Sequence, residues 1–240
     1  LRGRITAADA FRVLSLGLGA DGVPGYPLVT VYVTGEELRR VLEVQTTVAP
    51  RKEDANLQVA GVRFTYNPHR IFFERITTLE VEGPDGRFSP IDSARSYRLC
   101  MNLYMASMMD YLRTASHGLV AVVPKDRDGR PIANIRDARV DADPAQPGIQ
   151  ELKEWVSLAG YLQSFPDRNG NGIPDMPDRY RGAEGRYRAV PSWNPADLIR
   201  GGGRITYGLL GGLTAFALLL LGIWGIWRMV RRVRAAGRGG

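Results

Sequence analysis

The 240 residues contain a single cysteine, Cys100, and two histidines, His69 and His117. A lone cysteine excludes an intrachain disulfide and any thiolate metal cluster. Two histidines leave little for a zinc or dinuclear catalytic centre, which usually takes several imidazoles, and a Ser-His-Asp site would need one of them well placed. His69 follows the turn dipeptide Asn67-Pro68, and His117 stands between Ser116 and Gly118. Both are read as surface loop residues rather than ligands or bases. Acidic residues are missing from 204–240, which holds six arginines. The formal charge of +7 therefore belongs to the tail, and 1–203 is nearly neutral, with 26 basic against 25 acidic residues. A neutral body has no electrostatic footprint for a phosphate backbone, so no nucleic acid is expected as partner. The chain opens on Leu1 with no methionine and no charged-then-apolar leader, and further sequence is expected upstream of it. At 44% hydrophobic and 24% charged content the chain is foldable, with room for one large domain plus appendages or two small ones.

The clearest feature present is the tail. Ile205 to Trp227 carries no charge over 23 positions, a reach of roughly 34 Å as helix, enough for a hydrocarbon core of about 30 Å. Tyr207 lies near one end and Trp224 and Trp227 near the other, as in an aromatic belt. Four arginines follow in RMVRRVR, whereas Arg204 stands alone before the span. The positive-inside rule then orients a single-pass protein with its carboxyl terminus in the cytoplasm and its bulk extracytoplasmic, in the periplasm or at the cell surface, with the lipid bilayer as a partner. Gly208 and Gly212 form a GxxxG pair through which two such helices could dimerise.

Ahead of the tail the pattern is mixed α+β. Thr6–Leu14 is predicted to be a short helix with Ala10, Phe11 and Leu14 on one face. The β-branched run Pro27–Thr34 predicts a strand, and Thr34-Gly35-Glu36-Glu37 a capping box opening a helix to about Val48. Strands are predicted at Leu57–Tyr66, at Ile76–Gly83 and at Tyr97–Tyr104, the last passing into a helix at Ala106–Leu112. Gly148–Phe165 predicts an amphipathic helix with Ile149, Leu152, Trp155, Val156 and Leu162 inward. Proline, glycine and charge dominate Pro166–Gly203, which is read as a loop or stalk without a core of its own. Gly17-Leu18-Gly19-Ala20-Asp21-Gly22 satisfies GxGxxG, but a helix precedes it and Val23-Pro24-Gly25 follows. A dinucleotide site needs a strand before and a helix after, so this is read as a flexible connector.

In order along the chain, GRITAADAFRVL, PLVTVYVTGEELRRVLE, NLQVAGVRFTYN and YRLCMNLYMASMMDYL resemble the carboxyl-terminal domain of the 5'-nucleotidase/UDP-sugar hydrolase family, over about residues 3–166. The resemblance implies a domain that grips the nucleoside. A separate amino-terminal metallophosphoesterase domain holds two metals and hydrolyses the phosphate ester, the two domains rotating to deliver substrate. Nothing in this chain matches the metal-ligand half, so those divalent metals are not expected on it, and the metallophosphoesterase domain is expected as an upstream partner. The family clamps the base between two aromatic rings. Tyr104 occupies the place of one; at the other this chain offers Asn56, Leu57 and Val59. The family's ribose-binding aspartate corresponds to Asp110, but its glycine neighbours are replaced by Met108, Met109 and Tyr111, and bulky residues there are expected to refill the pocket. The same two residues read without the resemblance are a core tyrosine and a solvated acid.

Asp167 to Asp178 places oxygen-bearing side chains at loop positions 1, 3, 5, 9 and 12, with Gly172 at 6 and Ile173 at 7. That spacing suits a Ca²⁺ ion held by Asp167, Asn169, Asn171, Asp175 and Asp178 with the carbonyl of Ile173. It is similar to the calcium loops of dockerins and thrombospondin type 3 repeats, although Asp178 replaces the usual glutamate and Pro174 and Pro177 forbid a second EF helix. Plain turns use the same residue types. The expected organisation is a 5'-nucleotidase C-terminal-like domain at 1–166, a stalk with the calcium-like loop at 167–203, a transmembrane helix at 204–228 and a basic cytoplasmic tail at 229–240. Two functions follow: the nucleoside-binding half and membrane anchor of an extracytoplasmic nucleotide or sugar-nucleotide phosphohydrolase, or a non-catalytic nucleotidase-like module for protein contact or envelope architecture.

Overall fold

The computed structural model describes residues 4–52, 56–115, 121–182 and 185–236, and the side chains at 110–115, 230 and 232–236 lie outside that description. Helix α1 (Ala7–Leu14) is closed at its start by reciprocal bonds between Thr6 and Asp9 and buries Ala10. Strand β1 (Leu28–Thr34) alternates as its sequence does, and Val29, Val31 and Val33 are fully buried. It pairs antiparallel with β5 (Ser96–Asn102), from Leu28 opposite Asn102 to Thr34 opposite Ser96. Thr34 ends β1 and caps α2 (Gly35–Thr47) in the same step, its hydroxyl accepting from the Glu37 N–H while Glu37 bonds back to Thr34. Satisfying two orphan donors reciprocally is what lets a strand turn directly into a helix.

A second sheet, ordered β4-β3-β2-β6, is built from β2 (Val62–Tyr66), β3 (Ile76–Glu82), β4 (Phe88–Pro90) and β6 (Tyr187–Ala189). One core lies between the sheets and α2, where Val31, Val33, Leu38, Leu42, Phe64, Ile76 and Leu79 meet Met109 of α3 (Leu103–Ala115). Glu43 is also buried, and its carboxylate accepts from the N–H groups of Arg75 and Ile76 and from the Thr46 hydroxyl, fixing β3 to α2.

Several boundaries differ from the expected ones. β2 starts at Val62 rather than Leu57, because the Leu57 N–H is taken by the Gln45 side chain at 2.6 Å and Gly61 turns with φ +73°. β5 stops at Asn102, whose side-chain oxygen accepts from the Met105 N–H, so Tyr104 stands in the first turn of α3 instead of in a strand. The helix expected over Gly148–Phe165 is only α4 (Glu154–Gln163). Leu152 instead bonds to Val140 and to Leu28 as extended chain, and Ile149 and Val156, expected inward, are both exposed. Trp155 of α4 does pack inward, edge-on against Phe11. The expected flexible connector is tied down: the buried Lys153 pairs with Asp21 at 2.8 Å and with Glu151, which also accepts from the Ala20 N–H.

Part of 167–203 is strand. β6 runs parallel to β2, with Phe64 opposite Tyr187 and their rings stacked. Asn67 then donates to the Ser192 carbonyl at 2.9 Å, leading into α5 (Pro195–Ile199). Helix α6 (Arg204–Ala236) follows. Its segment Arg204–Met229 has a mean hydropathy of 2.2 and is long and apolar enough to cross a membrane; Thr206 in its first turn is buried against the body, whereas Leu213 to Met229 is exposed throughout. Glu74, from the β2–β3 loop, accepts from the N–H groups of Gly203, Ile205 and Thr206 and so holds the start of α6.

Candidate functional site

Tyr104 is half exposed, and its ring stacks on Tyr26 with centroids 5.6 Å apart at 28°. Tyr26, between Gly25 and Pro27, is the aromatic partner that the sequence pattern did not single out, because it sits in the glycine-rich connector rather than on a strand. Its position is set by Lys153, Pro27 and Trp155: Pro27 bridges to Lys153, and the Trp155 indole donates to the Pro24 carbonyl at 3.1 Å. The separation is ordinary for a direct aromatic pair. Asn56 lines a cavity of about 220 Å³ with Gln45, Ala49, Pro50, Tyr66 and Tyr187, and the Leu57 N–H donates to the Gln45 side chain. Asp110 falls in α3, and its side chain lies outside the described residues. Met109 joins the hydrophobic core, so the bulk that replaces glycine there fills space in the interior.

The loop from Asp167 closes on itself. One carboxylate oxygen of Asp167 accepts from the Gly172 N–H at 2.7 Å, and the other from Gly170, Asn169 and Asn171. These bonds, that from Gly172 foremost, hold the Asp167 carboxyl below its ordinary pKa. Asp175 accepts from the Arg168 N–H and from the Asn169 amide nitrogen. Asn171 accepts from the Ile173 N–H, whereas Asp178 opens a short 3-10 turn and pairs with Arg181 at 2.8 Å. Asp167, Asn169 and Asp175 are thus brought together by hydrogen bonds. Gly170 and Gly172, at φ +72° and +76°, allow the wrap. Among the described residues no group of three His, Cys, Asp or Glu is placed to hold a metal ion. His69 stacks on Trp193 at 3.9 Å, which accounts for its half-buried state; His117 lies outside the described residues.

Residues 1–117 match the family described as 5'-nucleotidase, C-terminal domain. Among solved structures, the NAD nucleotidase of Haemophilus influenzae is 24% identical over 47% of this chain and 19% of that one, with a TM-score of 0.38. The 5'-nucleotidase precursor of Thermus thermophilus is 18% identical over 78% of this chain and 28% of that one, with a TM-score of 0.42. The sulfate thiohydrolase SoxB of the same organism is 20% identical over 70% and 23%, with a TM-score of 0.36. The chain thus spans less than a third of the length of these structures. A comparison with curated proteins gave no match.

Proposed function

We propose that this chain, which carries a 5'-nucleotidase C-terminal domain over residues 1–117, is the nucleoside-binding half and membrane anchor of an extracytoplasmic nucleotide or sugar-nucleotide phosphohydrolase. That match carries the reading. Phosphate-ester hydrolysis itself is assigned to an upstream metallophosphoesterase domain bearing the divalent metals. In this reading Tyr104 stacks on the base and Asp110 receives the ribose hydroxyls. Because Tyr104 rests on Tyr26, the base adds to the outer face of an existing pair. Helix α6 anchors the domain: Leu213, Phe216, Leu218 and Ile223 are all more than half exposed, an apolar surface that a bilayer would cover. Gly208 and Gly212, with open space beside both, give the face for a second copy of the helix. The loop at 167–178 takes calcium and stiffens the approach to α6.

A second reading, a non-catalytic module for protein contact or envelope architecture, is favoured by Met109, which packs into the hydrophobic core at a position where the resemblance implies a glycine of the pocket. Calorimetry of the purified chain with adenosine, AMP and a UDP-sugar decides between them. The first reading expects nucleoside binding that Tyr104→Ala weakens by about 1–3 kcal/mol, and no phosphate release by this chain with any divalent metal. No binding by the intact chain would leave the second.

A further inference from the structure

Arg70, in the β2–β3 loop, is only 5% exposed, and its Nε and Nη2 are buried without a hydrogen-bond partner among the described residues. A guanidinium stays charged in any protein environment, and buried charged donors left unpaired are costly. They are rarely retained without something to meet them. Arg70 lines a cavity of about 610 Å³ between α2, the β2–β3 loop and the chain leading into α6. Arg39 of α2 lines it too, with a hydrogen bond to the Ile76 carbonyl at 3.1 Å, and Arg200 stands at its exposed edge. Burial pulls the Arg39 pKa down, Glu43 opposes this, and the Arg70 charge adds to it, as expected of two cations sharing a wall.

The carboxylates on the same wall are already engaged. Glu43 accepts from the Arg75 and Ile76 N–H groups and Thr46. Glu74 accepts from Gly203, Ile205 and Thr206, and Asp197 from the Ser192 hydroxyl. None of these bonds reaches Arg70. We propose that this cavity binds a phosphate-bearing anion, gripped by Arg70 and Arg39 with Arg200 at the entrance. Guanidinium forks match phosphate oxygens in pairs, and paired bonds to an oxyanion satisfy the donors that the fold leaves open. The cavity, at about 610 Å³, has room for an organic group beside the phosphate. Its wall includes Gly203, directly before α6, which makes two sources of the same chemistry available: a soluble phosphate ester or the headgroup of a phospholipid.

The test uses the full chain, in detergent with inorganic phosphate or glycerol 3-phosphate at constant ionic strength, and in nanodiscs of phosphatidylcholine with or without phosphatidic acid. The readouts are the unfolding midpoint and the fluorescence of Trp193, which stacks on His69 beside Arg70. A saturable rise in midpoint with the soluble ligands identifies a free ester, and a rise only with phosphatidic acid identifies a headgroup. In either case Arg70→Leu and Arg39→Gln are expected to weaken binding by about tenfold or more, while Arg40→Gln, whose side chain pairs with Glu36, binds as the parent does. Should Arg70→Leu fail to fold, Arg39→Gln carries the comparison. No response in either arm, or undiminished binding by the variants of Arg70 and Arg39, overturns the proposal.

Discussion

A Cβ added at Gly35 would stand 2.2 Å from the Asp92 carbonyl oxygen, so the V-T-G step of the sequence is a steric requirement joined to a capping one. Thr34 supplies the cap, Gly35 lets the 92–95 chain lie against the helix start, and Glu37 then reaches Lys125 at 3.0 Å and the Val123 N–H. Gly35→Ala is expected to cost about 1–3 kcal/mol, since the obstacle is backbone and cannot swing away; urea unfolding against the parent chain measures it. Glu74 works by charge instead. Burial raises its pKa, but the bonds from Thr206, Ile205 and Gly203 outweigh that and hold it below the ordinary value. The stabilisation of the α6 start is then fully present above the unfolded glutamate value of about 4.3 and is lost as pH falls through the lower folded value. Amide exchange at Ile205 and Thr206, corrected for intrinsic rates, should accelerate in that acid window. Glu74→Gln should show faster exchange already at neutral pH, a loss of about 1–2 kcal/mol.

Among the elements, the loop at 167–178 offers the sharpest test. Asp167, Asn169 and Asp175 already converge through hydrogen bonds, and a calcium ion would exchange the Asn169–Asp175 contact for oxygen ligation. With Asp178 paired to Arg181 instead, binding should be weak, on the order of 10⁻⁴ M as in extracellular modules. Limited proteolysis in millimolar calcium, magnesium and chelator should show protection by calcium alone, abolished in Asp167→Ala; equal cleavage in all three would leave an ordinary turn. How far such elements could be read beforehand depended on where their hydrogen bonds go. Local periodicity and capping located α1, β1, α2 and β3, because Thr6, Thr34 and the Val29-Val31-Val33 alternation act within a few residues. Partners remote in sequence decided the rest. Val140 and Leu28 draw Leu152 into extended structure, β2 draws in Tyr187–Ala189 from over a hundred residues away, and Gln45 takes Leu57 out of a strand. The candidate site was legible to the same degree: Tyr104 by its place in a motif, Tyr26 and Arg70 only through tertiary neighbours.

For the molecule as a whole, charge and apolarity divide along one helix. The 33 residues of α6 rise roughly 50 Å, well beyond a hydrocarbon core of about 30 Å, so a bilayer placed around it as proposed would leave one end in water. At that end Arg228 lies over Trp224 at 5.0 Å and Arg231 over Trp227 at 3.6 Å, cations and indoles placed together as an interface would require. At the other end Arg204 is the only charge of the first turn, and Glu74 ties that turn to the folded body. For the proposed membrane anchor, arginine asymmetry places the Arg228–Arg234 side in the cytoplasm and the body outside. A reporter fused after Gly240 should then be active only as a cytoplasmic protein. Trypsin added to intact cells should reach Arg179 and Arg181, which are exposed, while leaving the reporter whole. An extracytoplasmic reporter with a protected body would reverse the orientation. A chain released by salt or carbonate washing would show that α6 meets another protein's apolar surface instead of lipid.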